Sequence, residues 1–347
     1  MAGTLNHHWC VGIDLHKDTL TACVLCRCCG EVSFQKLPCK CRKQIAQYFA
    51  ALPRPHTVAI EAVGFYRWLW EMLEPIVEEL VLADATQARA LAGRRLKTDR
   101  EDALNIAELL AAGRLPTSYA PPLEVQLLRD LTRHRNGFSR QHARVLCRVK
   151  SIMNANNRPG PARLASEGLI RYLKAQGEKL PARHIAMLWQ CVDQLSLTER
   201  QIAEAERTIH EVVQRDAFQE VYGILTSFPG VALVTAATII AEIGEFRRFR
   251  DAKAIGRYAG LNPRVFASGG TQRIGHIAKT GSADLRWILQ QAAWTAIRSD
   301  EHVRRVFLRI AKRSGRKAAA VAIARKLLTW MHSAVCKGEP YRTRVAA

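Results

Sequence analysis

The chain has 347 residues, of which 48% are hydrophobic, so it is long enough for two or three globular domains and is not a disordered polypeptide. Lysine and arginine number 52 against 31 acidic residues, and this formal charge of +21 favours a polyanionic partner such as nucleic acid. No segment approaches the length of a membrane-spanning helix and the N-terminus lacks a signal-peptide layout, so we expect a cytoplasmic protein that does not enter a membrane.

The first predicted elements are strands, and one of them contains an acidic residue. Apolar residues alternate through WCVGIDLH and LTACVLC, which indicates two paired buried strands, and VSFQKL predicts a third. Aspartate disfavours strands and is rarely buried without a partner. Asp14 therefore either lies within the sheet beside a cation or ends its strand and caps the next turn.

Six of the ten cysteines fall in this region, and two readings of them are open. A C-x-x-C pair with two later cysteines would suit zinc, whereas strand continuity and a tight second pair favour reduced cysteines that pack in the core. We expect the second and do not expect zinc. The cysteines are Cys23, Cys26, Cys28, Cys29, Cys39 and Cys41.

Helices and strands then alternate, which predicts a mixed sheet with helices packed on it. A helix is predicted over 42–52, a strand over 57–61 that ends in Glu61, an aromatic-rich helix over 65–73 and a strand over 79–83. Sheets of this kind place their functional sites at strand ends. A second acidic residue at a strand end is therefore a candidate site residue.

Thr98 and Glu101 form a capping box, so a helix is predicted from this point to about residue 112. Asp99 and Asp102 are three residues apart and share one face of its first turn. Acids at this position also favour the helix dipole without any further function.

A predicted linker over 116–122 precedes two long helices, 123–156 and about 183–215, whose apolar residues recur every seven positions. We expect these helices to pair as an arm that dimerises. A basic run on the first helix is either a solvated face or a phosphate-binding surface. Its residues are Arg133, Arg135, Arg140, Arg144, Arg148 and Lys150.

The C-terminal part is predicted to be mostly helical. Phe228-Pro-Gly230-Val231 separates two apolar helical runs, as in a helix-hairpin-helix whose turn offers N–H groups to phosphate, although an ordinary turn would look the same. Ser268-Gly-Gly follows in a glycine-rich basic stretch and reads first as a flexible loop. The further candidate nucleic-acid contacts are Arg264, Arg273, His276, Lys279 and Arg286.

The acidic candidates together match the needs of a two-metal phosphoryl-transfer site. Such a site requires several convergent carboxylates, and Mg²⁺ prefers their oxygen atoms. The candidates for catalysis and metal binding are Asp14, Glu61, Asp99 and Asp102.

This order of motifs resembles the DEDD transposases of bacterial insertion sequences, which include Piv-type DNA invertases and bridge-RNA-guided recombinases. The resemblance covers almost the whole chain. It implies an α/β plus α architecture: a RuvC-like (RNase H-like) catalytic domain over 1–116, a helical coiled-coil arm over 117–216 and a C-terminal transposase domain over 217–347. The matching motifs are VGIDLHKD, VAIEAVG, KTDREDA, FPGVALVTAATIIAEIG and YAGLNPRVFASGGTQRIGHIAKTGSADLR.

The resemblance also implies a reaction. Donor and target DNA would be recombined under the guidance of a noncoding bridge RNA, with Ser268 as nucleophile, a phosphoserine intermediate and Mg²⁺ on the four acids. In such enzymes the site forms between subunits, which implies a homo-oligomer, either a dimer or a tetramer.

Three other classes compete with this reading. A RuvC-like nuclease or junction resolvase would use activated water and leave Ser268 idle, and a non-catalytic nucleic-acid scaffold would leave the acids unexplained. An actin-like ATPase is disfavoured because its phosphate loop needs glycine soon after the strand Asp, whereas Leu15-His-Lys follows here.

Overall fold

The computed structural model describes residues 9–92, 98–161, 164–268 and 271–341. The chain divides into two compact units, Met1–Ala120 and Pro121–Ala347. The boundary lies within the predicted linker, and the second unit contains both the predicted helical arm and the predicted C-terminal domain.

The first unit is built on a six-stranded sheet in the order β3-β2-β1-β4-β5-β6. The central strands β1, β4 and β5 are parallel and the outer pairs are antiparallel, so the predicted mixed sheet is confirmed. Its elements are β1 (Trp9–Leu15), β2 (Thr19–Cys26), β3 (Val32–Pro38), α1 (Arg42–Ala50), β4 (His56–Glu61), α2 (Arg67–Leu73), β5 (Glu79–Ala83), α3 (Ala85–Ala92), α4 (Asp99–Ala111) and β6 (Thr117–Ser118). The short strand β6 pairs with β5 where the sequence predicted only a linker.

The two faces of β1 serve different purposes because side chains alternate along a strand. Val11, Ile13 and Leu15 are buried in the larger core of this unit. On the opposite face, a Cβ at Gly12 would lie 2.2 Å from the carbonyl oxygen of Ala103 on α4. Only glycine lets the helix lie this close to the strand, and Asp14 shares the face of Gly12.

The second unit is mostly helical, as predicted, with one two-stranded sheet that was not predicted. Its elements are α5 (Leu123–Ala155), α6 (Ser166–Gln176), α7 (Ala182–Val213), α8 (Asp216–Thr226), α9 (Leu233–Ile243), α10 (Ala252–Tyr258), β7 (Pro263–Ser268), β8 (Thr271–Ile277), α11 (Ala283–Ser299), α12 (Glu301–Ser314) and α13 (Arg316–Lys337). The apolar helix α9 lies in its main core, where Ile239 and Ile243 are fully buried. Within the described part of the chain, no helix is both long and apolar enough to cross a membrane.

The two long helices, α5 and α7, pack against each other in an antiparallel arrangement. Contacts between polar side chains show the direction, because residue numbers rise along α5 as they fall along α7. The polar residues that interrupt the apolar seams of the two helices therefore face one another. These contacts join Arg135 to Glu206 at 3.0 Å, His142 to Glu199 at 3.3 Å and Asn156 to His184 at 2.9 Å.

Candidate active site

Asp14 and Glu61 lie at the carboxyl ends of neighbouring parallel strands. Ile13 pairs with Ile60 in the register of β1 and β4, so the two acids that follow are side by side. Asp14 is 2% exposed and Glu61 is 5% exposed, and their carboxyl groups share a hydrogen bond. The sheet thus brings these two predicted site residues together in a largely water-excluded position.

Helix α4 adds the other two acids to the same edge. Thr98 is its N-cap and accepts a hydrogen bond from the backbone N–H of Glu101 at 3.2 Å, as the capping box predicted. Because α4 crosses β1 at Gly12, its first turn lies next to the strand end. The negative charge of Asp102 acts on Asp14, and Asp102 also lines a small cleft together with Glu61.

Three basic side chains lie beside these acids, and none of them was among the predicted site residues. His16 Nε2 lies 3.1 Å from Asp14 Oδ2 and 3.4 Å from an oxygen of Asp99. The Lys36 ammonium lies 2.9 Å from the other Asp99 oxygen, and Arg89 Nη2 lies 3.2 Å from Glu61 Oε1. His16 directly follows β1, which is a signal that could have identified it; Lys36 and Arg89 come from distant segments.

The surroundings of the acids shift two of their pKa values in opposite directions. Burial raises the pKa of Asp14 from 3.8 to about 7; the negative charges of Glu61 and Asp102 add to the rise, and His16 opposes it. The Lys36 ammonium, by its hydrogen bond, holds the pKa of Asp99 below its usual range. Asp14 is therefore the acid that most needs further positive charge.

Two buried oxygen atoms at the site make no hydrogen bond in the described structure, namely Asp14 Oδ2 and Thr21 Oγ1. Thr21 is the direct cross-strand neighbour of Asp14 in the β1–β2 ladder. His16 Nε2 is close to Asp14 Oδ2, but its N–H is not aligned with that oxygen, so proximity here is not a hydrogen bond. Buried oxygen atoms of this kind suit a hard divalent cation.

Ligand atoms of Asp14, His16 and Asp99 all lie within 4.8 Å of one another, so one cation could contact all three. Glu61 and Asp102 complete the acidic surroundings. The donor set and the orphaned Asp14 oxygen therefore fit a divalent metal ion.

Ser268 is the last residue of β7, and its backbone pairs with Thr271 of β8. Ser268 thus belongs to a strand that pairs with β8, whereas the sequence favoured a flexible loop at this residue. Gly269 and Gly270 lie outside the described residues. The role of Ser268 stays a prediction.

Several basic residues that were predicted to contact nucleic acid have partners within the second unit. Arg133 binds Glu242 with both guanidinium arms, at 2.8 and 3.0 Å, and Glu242 is almost fully buried. Arg135 pairs with Glu206, and Arg140 pairs with Asp284. These contacts give the three arginines a structural role, and their contact with nucleic acid stays a prediction.

The remaining predicted contacts fall into two groups. Arg264 and Arg286 donate to backbone carbonyl groups, at 3.1 Å from Ala278 and 2.6 Å from Thr280, and so support their own loop. Arg148 hydrogen-bonds the Cys191 thiol. The side chain of Arg273 lies outside the described residues. The side chains of Arg144, Arg148, Lys150, His276 and Lys279 are exposed.

Gly230 forms the turn between α8 and α9 with a φ of +80°. A Cβ at this position would lie 2.5 Å from the carbonyl oxygen of Ala292 on α11. The glycine is thus required for close helix packing whether or not the turn also binds phosphate.

The cysteines of the N-terminal cluster occupy different environments. Cys23 is fully buried, whereas Cys28, Cys29 and Cys41 are exposed and Cys39 is intermediate, and Cys26 and Cys29 share a hydrogen bond. All of them are free of disulfide bonds. Among the described residues, the three-ligand cluster found is Asp14, His16 and Asp99, and it contains no cysteine.

Comparison with known proteins assigns two stretches of the chain to transposase families. A DEDD-type transposase family model matches residues 11–156, and the model of the IS116/IS110/IS902 transposase family matches residues 222–308. The chain is therefore a member of the DEDD class of transposases. The chain belongs to the IS116/IS110/IS902 family of transposases.

Three relatives support this assignment. A Pseudomonas aeruginosa protein named "Probable family 20 transposase" is 30% identical over 266 residues, which cover 74% of this chain and 75% of that protein. The Sinorhizobium fredii transposase homologue y4qE is 28% identical over 255 residues, which cover 73% of this chain but only 60% of that protein. The pilin gene-inverting protein of Moraxella bovis is 25% identical over 353 residues, or 96% of this chain and 98% of that protein.

The resemblance to DEDD transposases is thus confirmed. Membership of this family implies the breaking and rejoining of DNA, and the DEDD type suggests the use of a divalent metal ion. The bridge RNA, the serine nucleophile and the oligomeric state stay predictions.

Proposed function

We propose that this protein is an RNA-guided DNA recombinase of an insertion sequence, with Mg²⁺ held by Asp14, Glu61, Asp99 and Asp102. The observation that supports the proposal best is the convergence of these acids around a buried Asp14 oxygen that has no hydrogen-bond partner. A bound divalent ion would neutralise the charge that develops on a DNA phosphate and lower the pKa of the attacking oxygen.

The residues of the chain contribute before any ion binds. Asp14 and Glu61 are held rigidly by the parallel strands, so they offer their oxygen atoms in a fixed position. Lys36 and Arg89 are more than half exposed and occupy the rim, where their long side chains can turn from the acids to a DNA phosphate. The unit thus combines buried acids at its centre with exposed basic side chains at its rim.

We assign the nucleophile to Ser268. Its hydroxyl oxygen forms a bond to phosphorus, the phosphorus–oxygen bond to the neighbouring deoxyribose breaks, and the departing strand keeps a free hydroxyl end. The reverse attack by a hydroxyl from a second DNA end rejoins the strands and frees the serine. Donor and target DNA are both substrates, and a dimer or tetramer supplies the composite site.

A noncoding bridge RNA is the proposed guide. The charge of +21 and the exposed side chains of Arg144, Arg148 and Lys150 on α5 support a long polyanionic partner. The RNA encoded beside the gene should bind more tightly than RNA of random sequence, and its affinity should fall steeply with salt.

The test of the nucleophile uses a DNA substrate with a nick that traps the covalent product. After nuclease digestion, mass spectrometry should find a nucleotide on Ser268 in the wild-type protein and none in Ser268→Ala. Ser314→Ala, which changes an exposed serine at the end of α12, is the matched control and should form the adduct normally. Cleavage by Ser268→Ala without any adduct would transfer the attack to water and make the protein a RuvC-like nuclease.

A further inference from the structure

The imidazole of His16 lies beside two acids of the candidate metal site. Its backbone is fixed in the tight turn between β1 and β2, where its N–H donates to the Thr19 carbonyl at 2.9 Å. From this turn the imidazole reaches Asp14 at 3.1 Å and Asp99 at 3.4 Å. One ring nitrogen therefore lies beside carboxylates from a strand and from a helix.

The contact between His16 and Asp14 is close without being a hydrogen bond. If Nε2–H pointed at Asp14 Oδ2, that buried oxygen would have a partner, but it has none. An exposed histidine that served only as a counterion would gain most from an aligned hydrogen bond. The misalignment leaves the nitrogen and the carboxylate oxygen beside each other, as two ligands of one ion would be.

The distances agree with this arrangement. Bonds of about 2.1 Å at right angles in an octahedral site place neighbouring ligand atoms roughly 3.0 Å apart. The separations of 3.1 and 3.4 Å around His16 Nε2 are close to that value. The ring is also more than half exposed, so it can rotate to optimise a bond.

We propose that His16 supplies a nitrogen ligand to the divalent ion held by Asp14 and Asp99, and that this ligand raises the affinity of the centre for Mn²⁺ relative to Mg²⁺, which the acids also bind. The proposal rests on the proposed metal-dependent function. Mg²⁺ binds almost entirely through oxygen atoms, whereas transition-metal ions gain affinity from imidazole. Replacing one oxygen donor by nitrogen therefore shifts selectivity without changing the overall charge of the acidic set.

The experiment is electron spin-echo spectroscopy of the full-length protein loaded with one equivalent of Mn²⁺. Modulation from an imidazole ¹⁴N should appear in the wild-type protein, change to the ¹⁵N pattern after labelling of histidine, and vanish in His16→Ala. His210→Ala, which removes an exposed histidine on α7, should keep the signal. Calorimetric titration of His16→Ala should show Mn²⁺ affinity lower by about 10-fold or more and a smaller preference for Mn²⁺ over Mg²⁺.

A second variant distinguishes the loss of a nitrogen ligand from a loss of folded structure in His16→Ala. His16→Asp keeps a ligand in the same turn but offers oxygen, so it should bind metal without nitrogen modulation and shift its preference towards Mg²⁺. The same spectra in His16→Ala and in the wild-type protein would overturn the proposal.

The possible failures separate this inference from the proposed function. Mn²⁺ that binds in an Asp14-dependent manner without nitrogen modulation would overturn the role of His16 and leave the metal site intact. Mn²⁺ binding that is absent, or indifferent to Asp14→Asn, would overturn both.

Discussion

Asp14→Asn should stabilise the metal-free protein at neutral and alkaline pH while removing a metal ligand. The buried carboxyl has its pKa raised from 3.8 to about 7, and every tenfold gain in proton affinity on folding corresponds to about 1.36 kcal/mol. The folded state therefore binds more protons than the unfolded state between these pH values. Stability is lost as pH rises from about 4 to 7, and the loss above that range approaches about 4 kcal/mol as an upper estimate.

Asparagine carries no charge at any of these pH values, and its amide can donate to Glu61 where the protonated Asp14 shares a hydrogen bond. In urea unfolding with EDTA, the free energy of unfolding of the variant should exceed that of the wild-type protein by about 3 kcal/mol at pH 8 and by about 1 kcal/mol at pH 4.5. Hydrogen exchange in peptides from β1 and β4 would assign the change to the first unit.

Two comparisons make the test specific. Asp84→Asn changes an acid that caps α3 by accepting from two backbone N–H groups at 3.0 Å, and asparagine caps equally well, so it should show no gain at pH 8. Adding Mg²⁺ should stabilise the wild-type protein and not Asp14→Asn, which reverses their order. Two results would refute the reasoning. The first is a stability difference between Asp14→Asn and the wild-type protein that does not change with pH, and the second is an Asp14→Asn protein that is less stable than the wild-type protein at pH 8.

Two further predictions test the support of the site and the basic surface. Gly12→Ala should lower the free energy of unfolding by about 1–3 kcal/mol or more and weaken Mn²⁺ binding in calorimetry, because its Cβ would lie 2.2 Å from the α4 backbone. The control is Gly64→Ala, which has open space around it and should change neither quantity. Arg144→Gln with Lys150→Gln should reduce the salt dependence of RNA binding by a log–log slope of about 2 without loss of stability. Arg133→Gln should instead lower stability by about 1–3 kcal/mol, since Glu242 stays buried without its bidentate partner; unchanged unfolding of that variant would mark Arg133 as a surface contact only.

The long periodic elements were predictable because their burial patterns repeat. The strands β1 and β2 alternate apolar residues, and α5 and α7 have apolar residues every seven positions. The strands β6, β7 and β8 lack such a pattern: β6 has two residues, β7 is short and begins with proline, and β8 is rich in polar and basic residues. The spacing of Leu169 and Leu173 is a helical signal from which α6 was also predictable.

The acids of the site were predictable for a different reason. Carboxyl ends of neighbouring parallel strands meet at one sheet edge, so Asp14 and Glu61 follow from topology alone. Their cationic partners do not follow from any local rule, because Arg89 is 28 positions from Glu61 and Lys36 is 63 positions from Asp99. In the same way, the basic run on α5 gave the sign of the charge but not the acidic partners on α7, α9 and α11.

The way these acids are neutralised bears on how the site works. A sheet edge that gathers four carboxylates must protonate some of them or pair them with cations. Burial keeps Asp14 partly protonated near pH 7, while Asp99 and Glu61 have Lys36 and Arg89, whose side chains are more than half exposed. The exposed Lys36–Asp99 pair contributes only about 0–1 kcal/mol, so a divalent ion would displace Lys36 at little cost. At the buried Glu61 the charge of the ion would take the place of the Arg89 charge, and at Asp14 the ion would compete mainly with one proton. The displaced cations stay at the rim of the site, and we expect them to bind the DNA phosphate there, so that metal binding itself prepares the surface that receives the substrate.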